Sequence, residues 1–460
     1  DVERSRGLGD VYKRQVKGAT IQGPLIGLKQ EVEADATIQK PLETEGRDWG
    51  AIAYSLGITP KLSDIDAYYS AQKSFIDMVG KIIAVGGALP DMENAKWDGW
   101  AVCGNYCQPN SDSSSTLSKE KGEHNLASFV REGIGIREAE EALGIPIISG
   151  KDSMKCSCVY DLEIDEFLAN HPSEFAKEYM KLDDKAREDL DEARKQLKDK
   201  FNDELLESII LEAMPPDLRE HIIIAERQIK KKDEATGEKY KIKVKSIEIH
   251  DPPSYLASCA VKIEDYRKCV SSDFKQDGDL IYIIGTTKKH LAASQYYNAV
   301  GYKEQGAPLK GGVAPQADLN EFVRNCKAVH KAIDEELVAS CSYVHNGGIA
   351  VALAKAAIAG EKGAVIELCI PHEDDLTDEE LLYSETPGRF VVTVDSNDAD
   401  KFADVLKHQG VQYAKIGAVN HNSSILVVRQ DGVQENIDLD KVKEYYQKPL
   451  SFGLQEMKDG

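Results

Sequence analysis

The chain has 460 residues, 42% hydrophobic and 30% charged, and 57 Lys and Arg against 79 Asp and Glu leave a net charge of −22 at pH 7. That is apolar material for two or three domains and excludes wholesale disorder. So acidic a surface repels phosphate backbones and argues against nucleic acid as a partner, although small anions can bind where amides and local cations converge. No window approaches the ~18 to 20 consecutive apolar residues of a spanning helix, so no membrane is expected and a cytoplasmic location is.

Residues Asp1 to Gln15 are rich in Arg and Gly, lack an apolar signal core, and read as a leader or foreign segment; residues 451–460 read as a tail. Nine cysteines without regular spacing suit a reducing compartment. Cys103, Cys107, Cys156 and Cys158 offer four thiolates to zinc, but neither pair has the spacing of a zinc knuckle, so idle or buried thiols are the favoured reading.

Over 16–158 strand-like and helix-like segments alternate. Strands are expected at Ala34–Ile38 and Trp49–Tyr54. Tyr68, Phe75, Ile76, Val79, Ile82 and Ile83 recur at three and four, which predicts a helix over 67–85, closed by Gly86-Gly87. A strand at Trp100–Cys103, a Ser-rich loop over 111–118, a helix at Asn125–Leu143, a strand at Ile145–Ile148 and a turn at Ser149-Gly150 follow. From 159 to 240 charge dominates. There Leu190, Ala193, Leu197, Phe201 and Leu205 predict a long surface helix or helical hairpin, broken at Pro215-Pro216, with a second helix through Ile222 to Lys231.

Alternation then predicts a strand from Tyr240 to Ile249. Further strands are expected at Tyr255–Val261, Leu280–Ile284, Gly363–Leu368, Arg389–Val394 and Ser424–Val428, with helices at Leu291–Val300 and Leu319–Val338. The pattern is an α/β lobe over 16–158, a charged helical insertion over 159–240 and an α+β lobe over 241–450.

The most informative string is Ile147 to Met154, which sets Gly150, Lys151, Asp152 and Ser153 after an apolar strand. Free amides and a lysine suit phosphate, a carboxylate suits magnesium, and a hydroxyl can donate. A Walker loop needs a second glycine upstream, and a plain polar turn is the competing reading.

Other strings occur in a telling order: Val32 to Thr37, Asp64 to Tyr69, Asp77-x-x-x-Lys81 before Gly86-Gly87, Cys103-Gly104-Asn105-Tyr106, Pro252-Pro253, Gly278 to Tyr282, Ser294 to Tyr297, Asn346 to Ala354, and Ser384 to Phe390. The set resembles the phosphoribosylformylglycinamidine synthase (PurL) family, and more closely the second aminoimidazole-ribonucleotide-synthetase-like unit of its large form, without the glutaminase domain. The resemblance implies a synthetase-like N-terminal lobe, whose sheet supplies half of a barrel shared with a first unit, and an α+β C-terminal lobe.

It implies part of an ATP-dependent ligase of de novo purine biosynthesis. That enzyme forms a C–N bond, converting formylglycinamide ribonucleotide to the amidine with ammonia from glutamine. ATP or ADP and Mg2+ are the implied cofactors. The implied partners are the first unit, a glutaminase domain or subunit, and a small-molecule nucleotide substrate. The family's catalytic histidine lies in the first unit, so no catalytic residue is expected here and the chain alone is expected to be inactive.

Phosphate contacts are expected at Gly150, Lys151, Asp152, Ser153, Lys81, Asn105 and His345, the last from its place near a helix start, where a loop histidine with no role is the competing reading; the resemblance places metal ligands at Asp35 and Asp77. Asp77 stands where the family has Glu, Lys81 where it has Asn, and Tyr343 where it has Asp. A lysine cannot bind magnesium and a tyrosine is a poor ligand. Lys81 therefore either meets a phosphate directly or belongs to a degenerate, structural site. Two rival readings are a structural or regulatory paralogue with a decayed nucleotide site, and another synthetase relative, such as a selenophosphate or thiamine-phosphate enzyme. The assignment expects Gly150 and Asp35 to line one pocket.

Overall fold

The computed structural model describes residues 19–41, 49–91, 99–112, 117–216, 218–232, 239–309, 311–373 and 375–448. The leader, the tail and the centre of the Ser-rich loop lie outside the described residues. The chain opens with β1 (Thr20–Gln22), β2 (Leu25–Ile26), β3 (Val32–Glu33), β4 (Thr37–Gln39) and β5 (Ala51–Gly57). Helices α1 (Pro60–Ser63) and α2 (Ala67–Ala84), then β6 (Trp100–Gln108), α3 (Lys119–Leu143) and β7 (Ile147–Met154) complete the first lobe's linear stretch. An insertion follows: β8 (Ser157–Asp161), α4 (Ile164–Leu168), α5 (Glu174–Tyr179), α6 (Asp184–Glu188), α7 (Leu190–Leu197), α8 (Asp203–Ala213), β9 (Ile222–Lys232) and β10 (Lys239–His250).

Strand β11 (Ser254–Ile263) returns to the first lobe. The second lobe holds β12 (Leu280–Ile284), α9 (Gln295–Gln305), α10 (Leu319–Asp334), β13 (Ser340–Val344), α11 (Gly348–Gly360), β14 (Gly363–Glu367) and α12 (Asp378–Tyr383). It ends with β15 (Arg389–Val394), α13 (Ala399–His408), β16 (Tyr413–Asn420), β17 (Ser424–Val428), β18 (Gln434–Asp438) and α14 (Leu439–Gln447).

A six-stranded sheet, ordered β1-β4-β5-β11-β6-β7, builds the first lobe, and a seven-stranded sheet, β13-β15-β12-β16-β14-β17-β18, builds the second. Alternation along the central strands of the first sheet sorts its faces. Ala53, Val102, Ala257 and Val261 are buried with the apolar side chains of α2 and α3. Tyr54 and Leu56 point the other way and stay 38% and 51% exposed. Helix α2 begins at Asp66, whose carboxylate accepts from the amides of Tyr68 and Tyr69. It is buried almost throughout because it packs against β5 and β11 on one side and against β13 and α10 of the second lobe on another.

Three expectations are corrected. Ser149-Gly150 is no turn: β7 runs through it, parallel to β6 from Cys103↔Ser149 to Gln108↔Met154. Glycine suits position 150 because a Cβ there would sit 3.0 Å from the Gly104 carbonyl oxygen. The expected helix through Ile222 to Lys231 is strand β9, paired with β10 from Ile222↔Ile249 to Lys232↔Lys239. Of the long helix or helical hairpin expected from Leu190, the single long helix is not formed: Lys198 takes a positive φ of 50° and Asn202 caps a second helix, α8. The insertion is thus a layered module whose sheet, β8-β10-β9, and helices share their own core of Ile164, Leu168, Tyr179, Leu206, Ile210 and Ile247. Among the described residues no helix is long and apolar enough to cross a membrane.

Candidate functional site

Helix α2 carries Lys73, Asp77 and Lys81 at four-residue steps, a single stripe on its surface. Lys73 and Asp77 form a buried ion pair, Nζ to Oδ2 2.6 Å, with side chains 2% and 5% exposed. The other Asp77 oxygen, Oδ1, accepts from the Tyr343 hydroxyl at 2.8 Å. That hydroxyl itself accepts from the Gly388 amide at 3.1 Å. Gly80 makes room for the ring, since a Cβ there would meet Tyr343 carbons at 2.3 Å. Asp77, expected as a metal ligand, is therefore bound to a cation and a phenol of its own chain.

Asp35 lies in the short gap between β3 and β4, against the Tyr343 amide and the Ser342 hydroxyl. Burial pushes its carboxyl up to about 6, against the pull of the Lys355 and Lys81 ammonium groups, that amide and that hydroxyl. The Lys81 ammonium donates to the Leu56 carbonyl at 2.9 Å. Burial lowers its pKa, opposed by Asp77 and Asp35 and assisted by Lys73 and Lys355. Asp35, Lys81, Leu56, Cys103 and Ser258 line a groove of about 730 Å³ on the open face of the first sheet.

His345 follows β13, its ring stacked on Tyr343 at 6.3 Å between centroids. Burial first, then Lys81, Lys355 and Lys73, hold its pKa well below the usual value, so it is neutral at pH 7. After it Gly347 and Gly348 adopt φ of 79° and 66° and turn the chain into α11. Glu385 fixes that turn, accepting from the Gly347 amide and the Gln295 amide at 2.8 Å each.

The remaining expected phosphate contacts form a second group. Asn105, Lys151 and Ser153 share the open face of β6 and β7, with Lys151 Nζ donating to Ser153 Oγ at 2.8 Å. Asp152 projects to the opposite face, level with Tyr106, whose ring packs on Phe129 of α3. Strands β5, β11 and β6 separate β4 from β7. At ~4.8 Å per strand this puts Gly150 to Ser153 roughly 19 Å from the Asp35 end. The expectation that Gly150 and Asp35 line one pocket is not met.

Of the expected metal ligands, Asp77 is engaged at both oxygens, which leaves Asp35 and, beside it in the lining, Glu33 as the carboxylates of the groove; no group of three or more His, Cys, Asp or Glu side chains that could hold a metal occurs among the described residues. Cys103, Cys107, Cys156 and Cys158 are free thiols and belong to no such group. Sequence reasoning missed Lys73, Lys355 and Glu385. Lys73 was legible as a partner four residues before Asp77, and Lys355 as the one charge in the apolar helix α11; nothing local marks Glu385.

Residues 276–429 match the family described as AIR synthase related protein, C-terminal domain. A PurL subunit of phosphoribosylformylglycinamidine synthase from Thermococcus sibiricus is 34% identical over 188 residues, covering 40% of this chain and 24% of that one. Over those residues the chain is similar to PurL. Its fold agrees: T. maritima PurL complexed with FGAR superposes with a TM-score of 0.52 at 13% identity, over 91% of this chain and 49% of that one. T. maritima PurL complexed with ADP gives 0.50 at 12% identity, over 95% and 50%. The chain thus spans about a quarter of the length of that curated relative and about half that of these structural neighbours.

Proposed function

We propose that this chain is one synthetase-like unit of an ATP-dependent ligase that converts formylglycinamide ribonucleotide to formylglycinamidine ribonucleotide in purine biosynthesis. ATP would phosphorylate the amide oxygen, leaving ADP and an iminophosphate, and ammonia from glutamine would displace that phosphate to leave the amidine. The chain's own part is to bind a nucleotide, ATP or ADP, and to complete the assembly. The supporting observation is the meeting of Lys81, Lys355, Asp35 and His345 beside a groove on the open face of the first sheet of a PurL-like fold, one of whose structural neighbours is a complex with ADP.

The partners proposed are a first unit and a glutaminase domain or subunit. The open face of the six-stranded sheet, with Tyr54 and Leu56 uncovered, is the surface offered to the first unit. The phosphate roles of Asn105 and Gly150 to Ser153 stay proposals for that same face, on its far edge.

Calorimetric titration of the full chain with ADP tests the reading. Saturable binding, competed by ATP, is expected. One observation favours a second reading, a structural paralogue whose nucleotide site has decayed: the internal engagement of Asp77 by Lys73 and Tyr343. Absence of ADP binding would select it.

A further inference from the structure

Two cysteines that the nucleotide reading leaves unused meet where the insertion joins the first lobe. We infer that Cys107 and Cys156 form a reversible disulfide that ties the stem of the insertion to the first sheet. The inference does not depend on the nucleotide reading.

Backbone geometry brings the pair together. Cys107 lies near the end of β6, beside Ser153 of the parallel edge strand β7. Beyond β7, Lys155 pairs with Asp112 at 2.5 Å and takes a φ of 60°, in the left-handed region that a residue with a Cβ rarely enters. That bend sets Cys156 against β6. Its amide donates to the Gln108 carbonyl at 2.9 Å, and its carbonyl accepts from the Asp251 amide at 3.2 Å. Cys156 is thereby fixed on one side to the first sheet and on the other to the returning limb of the insertion.

The two sulfurs face each other. Cys156 Sγ donates to the carbonyl of Ser153, the lateral partner of Cys107, at 3.2 Å. Burial pushes the Cys107 thiol up, followed by Cys156 and Asp251, and the Cys156 side chain is also its hydrogen-bond partner. Both residues are half-buried, so a small oxidant can reach them. A disulfide needs Cα atoms within ~7 Å, and Cys103, four residues back along the same strand, is ~13 Å from Cys107. Cys158 is carried into the insertion's own sheet, opposite Ile249.

The bond would form by thiol–disulfide exchange. The Cys156 thiolate attacks glutathione disulfide and expels one glutathione thiolate; the Cys107 thiolate then attacks the Cys156 sulfur and expels the second. Two protein thiols give up two electrons and two protons, and one glutathione disulfide takes them up as two glutathione thiols. Cys107, with its raised thiol, suits the second step, in which the sulfur it attacks is already held beside it.

Incubation of the full chain with glutathione disulfide, followed by alkylation and peptide mapping without reductant, is the test. One cross-link, Cys107 to Cys156, is expected, with two of the nine cysteines lost to alkylation and both regained after dithiothreitol. Cys107→Ser should stop at a glutathione adduct on Cys156, and the double variant Cys103→Ser with Cys158→Ser should cross-link as the parent does. Amide exchange at residues 155–158 and 250–251 should slow by ~10-fold or more in the cross-linked chain, because local opening of the stem is restrained. A cross-link through Cys103 or Cys158, or nine alkylatable thiols after exposure to excess glutathione disulfide, would overturn the inference. Unchanged exchange at the stem would overturn the tie between insertion and sheet.

Discussion

Lys73 and Asp77 show why an ion pair matters more by being complete than by being strong. Its formation returns little more than the desolvation it demands, but removing one partner leaves a bare charge in the interface between the lobes. Lys73→Met or Asp77→Leu is therefore expected to destabilise the protein by ~3 to 5 kcal/mol, and the double substitution by less than either single one. Urea unfolding followed by tryptophan fluorescence would measure all three. Glu132 of α3 makes a pH prediction. Burial holds its carboxyl up at about 8 against an ordinary 4.5, despite a hydrogen bond from Gln108 at 2.5 Å.

The folded chain keeps a proton there that the unfolded chain releases. Stability from this group is whole below about 4.5 and is lost as pH rises through about 8. Glu132→Gln should flatten that fall and stabilise the protein at pH 8 by ~1 to 3 kcal/mol, read as a shift in urea midpoint between pH 5 and pH 8.

At the scale of elements, sequence legibility followed locality. Strands β12 and β15 were readable as short β-branched and aromatic-rich apolar runs, and strand β17 and helix α2 from their own periods. Strand β9 was not. Its run Ile222-Ile223-Ile224-Ala225 has no decisive period, and what makes it a strand is eleven-position pairing with β10 across residues 233–238. The Gly150 string misled for the same reason: its neighbour β6 lies some 45 residues earlier, and only that parallel pairing converts a seeming bend into an edge strand. Asp35 and Lys81 were legible through motif order, whereas the Tyr343–Asp77 bond joins positions 266 residues apart and has no local trace.

Two predictions belong at this scale. Gly80→Ala drives a methyl into the Tyr343 ring and should cost ~1 to 3 kcal/mol through overpacking of α2 on β13, measurable as a lower unfolding midpoint. The stem of the insertion pairs Ser157 with His250. Replacing 158–249 by a tight turn should leave the two lobes folded, since the removed module carries its own core. A cooperative thermal transition in the shortened chain would bear this out, and an insoluble product would refute it.

For the molecule as a whole, the decisive asymmetry is that α2 and α3 cover one face of the six-stranded sheet while the other stays open. If the open face receives the proposed first unit, Tyr54→Glu with Leu56→Glu should leave the fold intact and abolish that association, as seen by size-exclusion chromatography of a co-expressed pair. The central proposal is that nucleotide sits in the groove at Asp35 and Lys81 on the open face of the first sheet. Hydrogen–deuterium exchange with and without saturating ADP tests it most directly. Slowed exchange at the amides of residues 34–37 and 343–348 is predicted; protection confined to 149–153, or none anywhere, would contradict it.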